Sequence, residues 1–206
     1  MSVKITYLGH ASFLLSSGGV SVLVDPYADG AVPGLGNIRE KAAAVFCSHG
    51  HDDHNFIDAA EITGEENPFS VTEIATFHDD HLGALRGPNI IRIFEADGIR
   101  IAHFGDLGHE LSEKQISELS DLDVLLIPVG GHFTIDAAQA AEIIGQLKPV
   151  LTIPMHYRTA TSGYGVIGTL EDFEAVVGEL PKAHSISIEV PSDEAKGIIV
   201  LDQKYM

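Results

Sequence analysis

Cysteine occurs once, at Cys47, so no disulfide can close within the chain. A lone thiol fits a reducing compartment, and Cys47, at the end of an apolar run, is expected to be a buried structural thiol rather than a nucleophile. Lysine and arginine total 12 against 30 aspartates and glutamates, a formal charge of −18. That balance opposes nucleic-acid phosphates and anionic membranes over most of the surface, and neither is an expected partner. No apolar run approaches the roughly 18 residues of a transmembrane helix. The opening Met1-Ser2-Val3-Lys4-Ile5-Thr6-Tyr7 lacks the regions of a signal peptide, so a cytoplasmic protein is expected. Tandem repeats and low-complexity segments are missing as well. What remains is 206 residues, 45% hydrophobic, enough for one domain over residues 1–206 that buries about 70% of its unfolded surface.

The coarse order is strands first, then alternation. Lys4–Tyr7, Ala11–Leu15 and Val20–Val24 read as short strands, the latter two joined by a Ser-Ser-Gly-Gly turn, and they predict an antiparallel opening. The Gly- and Pro-rich stretch Asp29–Asn37 reads as a loop. Ile90–Glu95 and Ile99–His103 flank Ala96-Asp97-Gly98 as a second hairpin. Helical spacing over Ser112–Leu119, Ile135–Leu147 and Leu170–Val177 alternates with strands over Val124–Val129, Leu151–Met155, Ile186–Val190 and Ile198–Leu201. Such a mixture requires packed sheets covered by helices, an α/β class with α+β character.

The chemistry is concentrated in Ser48-His49-Gly50-His51-Asp52-Asp53-His54-Asn55. Imidazole and carboxylate are ligands for zinc and its first-row neighbours, and His49, His51, Asp53 and His54 fall within six positions. Apolar Ala43–Ser48 precedes the run, and Ile57–Ile62 follows with helical spacing before Gly64, predicting a strand-to-helix turn. Several imidazoles packed together without a metal would repel one another when protonated.

With this motif the chain resembles the metallo-β-lactamase superfamily of binuclear metal hydrolases. Thr6–Phe13, Val24-Asp25-Pro26 and Ile153–Tyr157 resemble the branch of ascorbate-6-phosphate lactonase-like and N-acyl-phosphatidylethanolamine phospholipase D-like proteins. The resemblance implies a four-layer αββα sandwich, with the Asp29–Asn37 loop overhanging the metals as a lid. It also implies a first metal site of His49, His51 and His78, with His81 the alternative third ligand. Asp53, His54 and His156 would form a second, and Asp106 would bridge the two. The implied cofactors are two divalent ions, zinc foremost, with manganese, iron or nickel also suited to these ligands. His78, Asp106 and His156 each follow an apolar, strand-like run, so a sheet would hold them.

Ions roughly 3.5 to 4 Å apart acidify a water and polarise a carbonyl or phosphoryl oxygen. The expected reaction is therefore hydrolysis of an ester, lactone or phosphodiester in a small-molecule substrate, with Asp53 orienting water or moving a proton. His132, after a Gly pair, and Arg158, two positions beyond His156, are candidates for substrate binding. His10 and Asp25 are expected beside the ligands, Asp25 orienting a ligand imidazole. Strand alternation turns His103 away from Asp106, and nothing around His184 supports a role. Two other readings use the same residues: a metal-binding regulatory protein without activity, and a redox di-iron enzyme. The second would replace one histidine of the opening motif by a carboxylate, and His49 and His51 are both present.

Overall fold

Alternating apolar residues build the first sheet of the computed structural model, which describes residues 2–206. Strands β1 (Val3–Gly9), β2 (Ser12–Ser17) and β3 (Val20–Val24) form an antiparallel meander. β4 (Glu40–Ala42) and β6 (Ala60–Ile62) pair with each other, while β5 (Ala44–Phe46) between them in sequence joins β3 in parallel. The second sheet takes β7 (Ser70–Phe77), β8 (Pro88–Ala96) and β9 (Ile99–His103) as antiparallel neighbours. β10 (Val124–Pro128) and β11 (Leu151–Met155) extend it in parallel. β12 (Ser187–Val190) closes the first sheet against β1, and β13 (Gly197–Ile198) closes the second against β11.

Val3, Ile5, Tyr7, Phe13, Leu15, Val22 and Val24 put one face of the first sheet into a shared core with Ile91, Phe94, Ile101, Val124 and Leu126 of the second. Each such side chain contributes about 1.5–3 kcal/mol on burial. Three helices follow: α1 (Glu113–Glu118), α2 (Ala137–Leu147) and α3 (Leu170–Val177). Each starts on a reciprocal cap, Ser112 with Gln115, Asp136 with Gln139 and Thr169 with Asp172. α2 joins parallel β10 to β11, buries Ala140, Ile143 and Leu147, and packs on α3.

The other face of the first sheet, through Leu8, Leu14 and Leu23, packs under Tyr27, Val32, Ile38, Ala42, Ala59 and Tyr205. No α-helix enters this cluster among the described residues. The expected α/β sandwich is present, and connecting segments make its outer layer there. The helix expected over Ile57–Ile62 is replaced by a single 3-10 turn over Ile57–Ala59 followed by β6. Ile57 and Ile62 are 59% and 58% exposed, so the helical spacing faces no core, and pairing with β4 satisfies the backbone instead. No described helix is long and apolar enough to cross a membrane.

Topology sets where chemistry can occur. β1, β3 and β5 run in one direction in the first sheet, as do β7, β9, β10 and β11 in the second. Loops leaving the carboxyl ends of such strands are the usual places for ligand-binding side chains.

Candidate metal centre

Every residue of the centre follows such a strand end or the loop beyond it. His10 follows β1, Asp25 follows β3, and His49 to His54 follow β5, while His78, Asp106 and His156 follow β7, β9 and β11. His10, Asp25 and His156 all adopt left-handed backbone, with φ of 57°, 46° and 54°, a conformation uncommon outside glycine that clusters at functional sites. The backbone is crowded where strands converge. A Cβ on Gly105 would lie 2.4 Å from Asn89 Oδ1 and 2.5 Å from Ser48 Cβ, and one on Gly130 would lie 2.2 Å from the His156 carbonyl oxygen.

Three groups of ligand-type atoms result, each drawn within 4.8 Å: His49, His51 and His78; His10, Asp53, His54 and His156; and, behind the first two, Asp25 with His49 and His54. Asp106 lies between the first two. Its Oδ2 is 3.2 Å from both His78 Nε2 and His156 Nε2, and its Oδ1 is 3.2 Å from His54 Nε2. His10 Nε2 is 3.2 Å from Asp53 Oδ2, and the His10 ring lies tilted against that of His156 with centroids 4.1 Å apart. Of the third-ligand alternatives, His78 is buried here, whereas His81 is exposed and pairs with Asp80 at 2.5 Å.

The outer nitrogens of His49, His54 and His78 are held, while Nδ1 of His10 and of His156 is buried without a hydrogen bond. Asp25 accepts from Ser48 N at 2.6 Å, Ser48 Oγ at 2.5 Å and His54 Nδ1 at 2.8 Å. Because the Ser48 hydroxyl donates to Asp25, its oxygen accepts from His49 Nδ1 at 2.9 Å, so one carboxylate steadies two imidazoles. His78 Nδ1 donates to the Phe133 carbonyl at 3.1 Å. The inward atoms have no such partners: His49 Nε2, His54 Nε2, His156 Nε2 and Asp106 Oδ1 are buried without a hydrogen bond. Buried polar atoms seldom go unmatched, and imidazole and carboxylate lone pairs converging in this way suit divalent cations.

Electrostatics differs from ring to ring. Burial, reinforced by neighbouring imidazoles, lowers His49 to about 3 and His10 to about 4, leaving both neutral at pH 7 with a lone pair to offer. Burial also works against a charged His54, yet Asp106 and Asp25 outweigh it and hold His54 well above its usual range. Burial alone would raise Asp106, but His156 and His54 keep its carboxyl well below the usual carboxylate range.

A cavity of about 330 Å³ opens on this cluster, lined by His51, Asp53, His78, Asp106, Arg86, Phe133 and Tyr164. His132 and Arg158 are not among its lining residues. His132 is exposed with φ of 62° and hands its place to the neighbouring Phe133. Arg158 donates from Nε to the Ile167 carbonyl at 2.9 Å and lines a separate cavity with Glu171 and Lys182. The Asp29–Asn37 loop does not reach the cavity either. Val32 is buried in the outer cluster, and the loop accepts from Gly163 N at Pro33 and from Tyr164 Oη at Ala31. It braces Tyr164 from behind rather than covering the centre. His103 turns into the core, its Nε2 donating to the Ala11 carbonyl at 2.8 Å, and the half-buried Cys47 thiol is pushed up to about 12, chiefly by burial.

Arg86, Phe133 and Tyr164 carry no ligand signature, and sequence reasoning missed them. One local signal exists for Arg86. Asp79 accepts from the backbone N–H groups of His81, Gly83, Leu85 and Arg86, the side-chain-to-backbone turn bonding that aspartate favours. It folds the stretch 80–87 back over the cavity.

Residues 4–156 match the family model of the beta-lactamase superfamily domain. The chain belongs to that superfamily. Within it, a metal-dependent hydrolase of the UPF0173 family from Archaeoglobus fulgidus is 32% identical over 91% of this chain and 94% of its own length. One from Pelotomaculum thermopropionicum is 32% identical over 76% of this chain and 85% of its own. A crystal structure from Thermotoga maritima, assigned to the Zn-dependent hydrolases of the superfamily, superposes with a TM-score of 0.74. It is 29% identical and covers 97% of this chain and 98% of that one. The superfamily resemblance read from the His-rich motif therefore holds, and this chain is a member of a family of metal-dependent hydrolases.

Proposed function

We propose that residues 1–206 act as one hydrolase domain that cleaves an ester, lactone or phosphodiester bond of a small-molecule substrate at a binuclear centre, in a cytoplasmic setting. The observation that carries this reading is the set of buried atoms without a hydrogen bond on His49, His54, His156 and Asp106, converging from strand ends and the loop after β5. His49, His51 and His78 would hold one divalent ion, and Asp53, His54 and His156 the other, with Asp106 between them. Zinc heads the candidates, and manganese, iron and nickel suit the same donors. The motifs at Thr6–Phe13, Val24–Pro26 and Ile153–Tyr157 favour the lactonase-like and phospholipase D-like branch, and hence an acyl or phosphoryl electrophile.

When bound, such a pair supplies Lewis acidity and an acidified water near neutral pH. The protein's own part is positioning. Asp25 fixes the ring planes of His54 and, through Ser48, of His49. Burial would raise Asp53, but His10 and His54 hold its carboxyl below the usual range. Asp53 is thus an anion at neutral pH, 16% exposed, and suited to orient a water by accepting its hydrogen bond. The Phe133 and Tyr164 rings, 6.1 Å apart, wall the cavity and limit water entry. A volume near 330 Å³ and a charge of −18 favour a small substrate over nucleic acid.

Elemental analysis of protein purified without added metal, run beside an ester, lactone and phosphodiester panel on the same sample, tests the proposal. Two equivalents of metal and turnover in one class are expected. Fully metallated protein inert across the panel would overturn it.

A further inference from the structure

Four of the five arginines are engaged. Arg39 pairs with Asp29, Arg92 with Glu73, Arg100 with Glu95, and Arg158 donates to the Ile167 carbonyl. Arg86 is the exception: among the described residues its guanidinium makes no hydrogen bond and no ion pair, and its partner is the Phe133 ring at 5.6 Å. With 30 carboxylates on the chain, an unpaired arginine is conspicuous, and this one is the single Lys or Arg lining the cavity of the metal centre.

Its backbone is fixed independently of its side chain. Arg86 N donates to Asp79 Oδ2 at 2.7 Å, and the next carbonyl, Gly87, accepts from His78 N at 3.0 Å. The stem of Arg86 therefore leaves a braced loop anchored beside a candidate ligand. Stacking on Phe133 restricts the guanidinium plane and leaves its N–H fork available, so little freedom is lost when it binds.

We propose that Arg86 is the receptor for an anionic group, a carboxylate or a phosphate, that the substrate carries apart from the bond being cleaved. The proposal rests on the reading of this cavity as the place of reaction. A planar fork matches two oxygens of a carboxylate or phosphate at once, which a lysine in the same place would not. Phe133 and Tyr164 would flank the part of the substrate between that anion and the scissile bond. The substrate class is then an anionic ester, lactone or phosphodiester rather than a neutral one.

The test uses the full-length, metal-loaded protein with Arg86→Ala and Arg86→Met, the second keeping a stem over Phe133 without the charge. Calorimetry with succinate and with inorganic phosphate reads binding. Turnover of 4-nitrophenyl acetate against 4-nitrophenyl hydrogen succinate reads preference. Loss of one or two strong charge-assisted bonds corresponds to roughly 10–100-fold. Both variants are expected to weaken one of the two anions by that factor, identifying carboxylate or phosphate, and, where it is the carboxylate, to lower the preference for the hydrogen succinate ester over the acetate ester by the same factor. Equal anion binding in parent and variants, or none in the parent, overturns the proposal even if esters are cleaved. Arg86-dependent anion binding without turnover of either ester upholds it and counts against the hydrolase reading instead.

Discussion

His54 Nδ1 lies 2.8 Å from Asp25 Oδ2, and this one contact lets the end of β3 set the ring plane of an imidazole carried on the loop after β5. The two strands are parallel neighbours, with Val24 opposite Phe46, so Asp25 is delivered to that loop by sheet register. Asp25→Asn keeps a residue that tolerates left-handed backbone but loses the charge and one acceptor. We expect metal affinity to fall about 10–100-fold, read by competition with a chromophoric chelator. Unchanged affinity would remove Asp25 from the working centre.

Replacing His51 and His54 together by alanine takes one donor from each group of ligand-type atoms. Metal content and turnover should both vanish, while the circular dichroism of the fold persists. Turnover retained in the double variant would refute the proposed centre.

Chelation should cost stability as well as activity. Ions that bind only the folded chain stabilise it by about 2.7 kcal/mol at a hundredfold excess over Kd. Prolonged dialysis against a strong chelator is expected to lower Tm, and zinc to restore it. A melting curve indifferent to both treatments would mean the converging lone pairs hold no ion.

Gly105 has φ of +52° and no room for a methyl, because Asn89 and Ser48 both crowd the space a Cβ would fill. Gly105→Ala should destabilise by about 1–3 kcal/mol from overpacking, with backbone strain in addition. A denaturant midpoint that drops while the m-value stays constant is the expected signature.

Asp79→Ala removes the acceptor of four backbone N–H groups in the 79–87 loop. Limited proteolysis should then cut between Leu82 and Leu85, side chains already 80% and 64% exposed, far faster than in the parent. A cleavage rate equal to the parent's would show that the loop is held by something else.

Much of the scaffold was legible because its signals are local. The strand-like runs within Lys4–Val24, the Asp97-Gly98 turn and the helical spacing of Ser112–Leu119, Ile135–Leu147 and Leu170–Val177 are all written within a few residues. Ile57–Ile62 misled because helical spacing was present without a core to face, which only the packing reveals. At the site, the burial of His78 against the exposure of His81 and the contacts of Asp25 depend on packing and on parallel register, while residue type at a strand end marked these positions as candidates. The cavity walls are different. Arg86, Phe133 and Tyr164 meet only because three loops fold toward each other, and tertiary arrangement of that kind leaves no period or motif in the chain. His132 and Arg158 were suggested by proximity in sequence, but left-handed backbone at Gly131 and His132 leaves His132 exposed, and bonds to Gly168 and Ile167 hold Arg158 in a neighbouring hollow.

The three wall residues sit on the connections after β7, β10 and β11, whereas Asp25, Ser48 and the ring nitrogens they steady belong to the opposite sheet. The carboxylate scaffold behind the opening motif and the cavity walls thus occupy different pieces of covalent chain, while His78 shares its connection with Arg86 and His156 shares its own with Tyr164. On the proposed reading, exchanging the connection after β10, which carries Phe133 and none of the proposed ligands, would alter what is admitted while leaving the carboxylate scaffold behind the opening motif undisturbed.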